Sequence, residues 1–365
     1  MDFKDSMVHL RRFVNMLCIS KEEVNTGRQI EMDIAKAVCI IGMVIVHSFE
    51  TINDLRGGAD TGLAFVFVNV LDCIFGAGTF MFCMGMGIAY SNRTSPEYLM
   101  KRGVKLFVLA YVLNIIRALA AFFLYGFEVY IAYAFTLDIM QFAGLALFTF
   151  GLLKKLKVKD LVVEIIAIVM SLIGSYFGTI QCNSFAQADS VGLFFGSFDP
   201  NSMTGSTFPL FNWFIFVSTG YIFAKLLRRC SDKKKLYITC SSLAGIVVLI
   251  YMFLAIPKHL GMMGDITVYY DINTFNAFIC ICGALLALGL YHAWSYVLPN
   301  CLNKLFTNMS KNINRIYFAQ WIIIGWTGLT INYFCTLPDW LVIVYGIIVI
   351  IISVLIANFI ERRKN

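Results

Sequence analysis

The chain has 365 residues, of which 59% are hydrophobic, 15% aromatic and only 14% charged, with a mean hydropathy of +0.76. That composition excludes a soluble domain, which could not bury so much apolar surface. The formal charge of +7 needs no nucleic acid to explain it, because its distribution is that of a membrane protein.

The first 30 residues, "MDFKDSMVHLRRFVNMLCISKEEVNTGRQI", are too polar for a secretory signal and lack a small-residue cleavage site. They read as a short cytoplasmic segment, followed by a membrane domain over 31–360 and a cytoplasmic tail over 361–365. Apolar runs near the ~20 residues needed to cross the hydrocarbon core recur at roughly 32–52, 62–91, 103–125, 130–153, 161–180, 207–227, 236–256, 270–294, 313–333 and 340–360. The expected fold is an all-α integral membrane protein with about ten transmembrane helices in one bundle. An even number of spans puts both termini on one side. Of the 29 basic residues, only Arg56 and Lys258 fall in one set of loops and Arg117 inside a span. The others lie in the alternate loops and terminal segments or, for Lys36, at the start of span 1. Lys and Arg are retained on the cytoplasmic face, so both termini are expected there and the protein in the cell membrane.

Along the spans, four ionisable residues stand out, because a charge in a span usually turns inward toward a cavity or a partner. His47 lies roughly 20 Å beyond the cytoplasmic end of span 1 at 1.5 Å per residue. Arg117 sits about as deep in span 3, Asp72 in the outer half of span 2 and Asp138 in the outer half of span 4. All four are therefore expected at similar heights. Asn69 with Asp72, Asn114 with Arg117, and Asp138 with Gln141 are i, i+3 pairs that share a helix face. Asp33, Lys36, Ile40, Val44 and His47 fall on one stripe of span 1, which predicts a polar track leading inward from His47.

The outer loop "QCNSFAQADSVGLFFGSFDPNSMTGST" has no Lys or Arg and is long enough to fold over a site. The eleven cysteines show no metal-ligand spacing, so no metal is expected. They read as small packing residues, with Cys182 and Cys335 on one side as a candidate pair.

A histidine beside a carboxylate suits general base catalysis, and a nearby Arg and Asn suit stabilisation of charge on a carbonyl oxygen. Arg28, Lys36, Lys101, Arg102 and Lys105 gather near the cytoplasmic ends of spans 1 and 3, where they would hold a phosphate-bearing donor. Coenzyme A has the required charged head and long uncharged arm. The same cations also obey the positive-inside bias, and Arg117 with Asp138 or Asp72 also reads as a structural ion pair.

The stretch "RQIEMDIAKAVCIIGMVIVH" resembles the Arg…Asp…Arg-Gly…His opening of the transmembrane acyltransferase superfamily. This superfamily includes acyltransferase family three and the heparan-alpha-glucosaminide N-acetyltransferase-like proteins. "FMFCMGMGIAYS", "YLMKRGVKLFVLAYVLN", "LDIMQFAGLAL" and "FPLFNWFIFVSTGYIFAKLL" resemble successive blocks of the second branch, in chain order, from about residue 28 to 227. The resemblance implies roles for Arg28, Asp33, His47, Asp72, Arg102, Lys105, Asn114, Asp138, Gln141, Pro209 and Trp213. Lys36-Ala37 stands where Arg-Gly is usual, and the loop after span 1 has no histidine, which makes the bacterial type, with its histidine inside span 1, the better match.

Together these readings describe an acyl-CoA-dependent O- or N-acetyltransferase. It would move an acetyl group from cytoplasmic acetyl-CoA to a hydroxyl or amino group of an extracytoplasmic sugar or glycan. Its catalytic set would be His47, Asp138, Asp72, Asn114 and Arg117, with Gln141, Pro209, Asn212 and Trp213 toward the acceptor. Expected partners are acyl-CoA, the glycan, the lipid bilayer and, in a homodimer, a second copy of the chain. The alternative is a proton- or ion-coupled transporter with His47, Arg117 and Asp138 as a relay. A structural or lipid-binding protein fits four buried ionisable groups poorly.

Overall fold

The computed structural model describes residues 19–55, 58–200 and 204–363. Residues 1–18 of the expected N-terminal segment, Arg56 and the last two residues of the tail lie outside the described residues. The protein is an all-α membrane protein. Among the described residues, nine helices are long and apolar enough to cross a membrane. The ninth run expected from the sequence is also helical, over 313–334, but it is less apolar because it carries Arg315, Gln320 and Asn332.

In chain order the helices are α1 (Ile30–Ile52), α2 (62–75), α3 (Ala77–Tyr90), α4 (Pro96–Tyr125), α5 (Phe127–Phe135), α6 (Ile139–Lys155) and α7 (Asp160–Phe177). After a loop with a short helix α8 (Phe185–Gly192) come α9 (Leu210–Arg229), α10 (Lys233–Ala255), α11 (Thr267–Tyr270), α12 (Thr274–Ser295), α13 (Asn300–Lys311), α14 (313–334) and α15 (Asp339–Arg362).

Helix α1 is the centre of the bundle. It packs against α2, α3, α12, α13, α14 and α15, which fits its apolar residues on every face, since a helix that is hydrophobic all round belongs inside. Close approach of neighbours depends on small residues, as is usual where packing rather than solvent drives association. A Cβ on Gly85 of α3 would lie 2.0 Å from the Val217 carbonyl oxygen of α9, and one on Gly220 would lie 2.1 Å from that of Phe82.

Two spans are broken. The second bends at Gly76, between α2 and α3, and α2 itself contains a π-helical stretch over Phe65–Asp72. The fourth divides at 136–138 into α5 and α6. Asp138 is therefore a helix N-cap and not a mid-helix residue. Its carboxylate accepts from Ile139 N at 2.7 Å, while its own N–H donates to Gln141 Oε1 at 3.2 Å, a reciprocal capping box. Helix α14 likewise contains a π-helical turn, Ile324–Gly328, next to the site.

The loop between α7 and α9 carries a small sheet. Strand β1 (Thr179–Gln181) runs parallel to β2 (Gly196–Asp199), which pairs antiparallel with β3 (Thr204–Gly205). Cys182 is buried and Cys335 exposed, and both are free thiols, so the pairing considered from the sequence is not formed.

Candidate active site

One end of α1, α4, α5 and α14, the two helix breaks and the β-loop line a chamber of about 1070 Å³. It lies at the end of the bundle opposite the basic loops. His47, Asp72, Arg117 and Asp138 all line it, so the four ionisable groups read from separate spans share one space.

The His47 ring stacks on Trp321 of α14, with centroids 4.1 Å apart. Its Nδ1 lies 3.4 Å from Gln320 Oε1. Donation from Nδ1–H to that amide oxygen leaves Nε2 as the basic nitrogen. The sequence reading gave the orienting role to Asp138 or Asp72. The structure instead sets Gln320 beside the ring, because Asp138 is already engaged: its Oδ2 accepts from Arg117 Nη1 at 3.2 Å. The Arg117 guanidinium lies 4.1 Å from the Trp321 ring centroid, close enough for a cation–π contact. One indole thus serves both His47 and Arg117.

Four expected residues stand behind the wall. Asn114 is buried and donates to Thr136 O at 2.6 Å. Gln141 also donates to Thr136 O, at 3.4 Å. Both therefore hold the break that presents Asp138 and do not face the chamber. Asn212 and Trp213 are fully buried and donate at 2.8 Å to the carbonyls of Ile272 and Tyr270 respectively. They do not line the chamber, and their side-chain N–H groups are spent on the backbone carbonyls of Tyr270, Asp271 and Ile272. Pro209 is the N-cap of α9 and follows Phe208, a wall residue held in the left-handed region at φ 63°. A bulky residue there is strained, and Trp213 and Tyr270 pack edge-on to its ring at 4.7 and 5.5 Å.

The cation cluster is separate. None of Arg28, Lys36, Lys101, Arg102 and Lys105 lines the chamber. The polar track expected along α1 is interrupted, since Ile40 and Val44 are fully buried between Lys36 and His47. Arg28 is paired with Asp33 at 2.5 Å, and Lys36 lies in electrostatic reach of Asp33, Arg28 and Arg102. Lys101, Arg102 and Lys105 are exposed on the first turns of α4, an arrangement that fits phosphates.

Three residues of the site carry little signal in the sequence: Glu50 and Trp321 on the wall, and Gln320 buried behind it. Glu50, one turn beyond His47, accepts from the Tyr270 hydroxyl. Its signal was present as a second ionisable group on the His47 face, but it reads as a membrane-edge residue. Trp321 and Gln320 had only a weak signal, a Gln-Trp pair within an apolar run.

On the loop side, burial pushes the Asp271 carboxyl up to about 6 against the opposing hydroxyl donors Thr179 and Ser206, each at 2.8 Å. Burial also raises Asp189, to about 6. A carboxyl raised in the folded state binds its proton more tightly there than in the unfolded chain. The stabilisation is complete below 3.8, the ordinary value, and is lost as pH rises through about 6. Protease nicking of the 178–208 loop in purified protein should therefore increase between pH 4 and pH 6.5. Asp271→Asn should remove part of that step and Asp189→Asn the rest; an unchanged step in the double variant would assign it to other groups.

Comparison with individual curated proteins gives no match. The family described as heparan-alpha-glucosaminide N-acetyltransferase, catalytic, matches residues 28–255, a stretch that holds His47, Asp72, Arg117 and Asp138 and ends before Gln320 and Trp321. That match covers more than half of the 365 residues, and the chain belongs to the heparan-alpha-glucosaminide N-acetyltransferase catalytic family, a family of membrane acetyltransferases acting on glycans.

Proposed function

We propose that the protein transfers an acetyl group from cytoplasmic acetyl-CoA to a sugar amine held in the chamber on the other side of the membrane, with His47 as general base. The observation that carries this reading is the wall itself. His47 stands among Arg117, Asp72, Asp138 and Glu50 in a space large enough for a sugar. Around it, Glu128, Asp189 and Asp271 add further carboxylates, against Arg117 and His47 as the basic groups of the described wall. A wall of that sign favours a cationic acceptor over a neutral one, which supports N- over O-acetylation.

As the acceptor nitrogen attacks the thioester carbonyl, a proton passes to His47. The C–S bond then breaks, and the same proton can go to the departing thiolate. Arg117 supplies positive field where the carbonyl oxygen gains charge. Because none of the five cations lines the chamber, the acyl arm must pass through the bundle beside α1 to reach His47.

The test is acetyl transfer in proteoliposomes, with labelled acetyl-CoA on one side and a panel of amino and neutral sugars on the other. Transfer to amino sugars alone supports the reading, and transfer only to neutral sugars reverses the acceptor assignment. On the donor side, an Arg102→Ala, Lys105→Ala double variant should bind coenzyme A at least tenfold more weakly by calorimetry, with the loss shrinking as salt rises. Unchanged affinity would remove that site.

One observation favours transport as a second reading. Spans two and four are both broken, with the N-termini of α3 and α6 at the chamber, as in transporters with discontinuous helices. Uptake of an amino sugar by proteoliposomes without acetylation would establish it.

A further inference from the structure

N-acetylation of an ammonium releases two protons from nitrogen, and the base described above accounts for one. The first must leave before attack, because an ammonium has no lone pair. The second leaves as the N–C bond forms. Glu50 lies three residues beyond His47 on α1, on the same helix face, and both line the chamber. Asp72, from the broken second span, also lines it and lies within electrostatic reach of Glu50. Tyr270 joins them by donating its hydroxyl to Glu50. The carboxylate of Asp72 is held against the helix break, since a Cβ on Gly76 would lie 1.9 Å from its Oδ1. The titratable groups in electrostatic reach of the pair are Cys39 on α1, Cys73 on α2, Tyr269 and Tyr270 on α11, and Cys280 on α12, and His47 shares the same wall. Arg117, also on the wall, is paired with Asp138.

We propose that Glu50 and Asp72 form the second proton acceptor of the reaction, taking the proton that an ammonium acceptor must lose before it attacks. The inference rests on the amine reading above. In sequence, the carboxylate pair takes one proton from R–NH₃⁺, and the freed lone pair forms the N–C bond. The C–S bond breaks with its electrons on sulfur, and the second nitrogen proton passes through His47 to the thiolate. One proton remains on the pair and is released to solvent before the next turnover. Two carboxylates on one wall within electrostatic reach of each other suit this task, since one of them holds a proton readily beside its neighbour's charge.

The distinguishing experiment uses the full-length protein, acetyl-CoA and methyl glucosaminide, with kcat/KM measured from pH 6 to pH 9. An amine flanked by C–O bonds titrates near the α-amino range, roughly 8, so at pH 9 the acceptor arrives already neutral. Glu50→Gln should lose about 10²-fold at pH 6 and recover to within a few-fold of wild type at pH 9, with coenzyme A affinity unchanged at both. Asp72→Asn should show the same shape, and it decides the matter if Glu50→Gln does not fold. A loss of equal size at every pH, or no loss, would overturn the proposal and make the pair structural. Absence of transfer to any amine by the wild-type protein would instead remove the amine reading on which it rests.

Discussion

Replacing His47 with Gln is expected to lower acetyl turnover by about 10²–10⁴, the usual contribution of a general base, while fold and coenzyme A binding persist. The persistence follows from where the ring sits. Its polar contact in the bundle is with Gln320, and a glutamine amide can pair with that amide in place of the imidazole. The stacking on Trp321 is worth on the order of 1 kcal/mol, too little to unfold the protein. The cation cluster lies beyond the buried Ile40 and Val44, so the donor's head does not sense the change. Turnover and coenzyme A affinity should therefore separate in this variant. Gln320→Leu should lower turnover by a smaller factor, because it removes only the partner that selects the tautomer. If His47→Gln retains wild-type turnover, the histidine is a packing residue and the transport reading gains.

The spans and the shared height of His47, Asp72, Arg117 and Asp138 were legible in the sequence because both follow from length and hydropathy at 1.5 Å per residue. The breaks were less so. Gly76 is one glycine among many in an apolar run, and nothing local marks it as the bend. Asp138 did carry a mark: Asp-x-x-Gln is a helix-start pattern, but inside an apolar stretch the same spacing also reads as a polar stripe on a continuous helix. Which carboxylate pairs with which base was not legible at all. Arg117 has Asp138 and Asp72 within its height, and only tertiary packing chooses Asp138. Gln320 and Trp321 come from a helix some 270 residues away from His47 in sequence, where single-sequence periodicity carries no information about contact.

The largest effect on stability is expected from the Arg117–Asp138 pair. The two side chains are 7% and 14% exposed, so removing one partner leaves a charge with little water to hold it. Breaking such a pair costs about 3–5 kcal/mol. Asp138→Asn keeps a cap for α6 and the bond its backbone N–H donates to Gln141 Oε1, so the change isolates the Arg117 charge; Arg117→Met removes the charge and its contact over Trp321. Each single variant should unfold at a lower temperature in detergent. The double variant should recover part of that loss, since neither charge is then stranded. Activity separates a structural pair from a catalytic one. Arg117 lines the chamber and shares the Trp321 indole with His47, so turnover should stay low in the double variant even as its melting temperature rises. A double variant that regains both stability and turnover would reduce the pair to a brace between α4 and α6, and would leave His47 to work without a cation beside it.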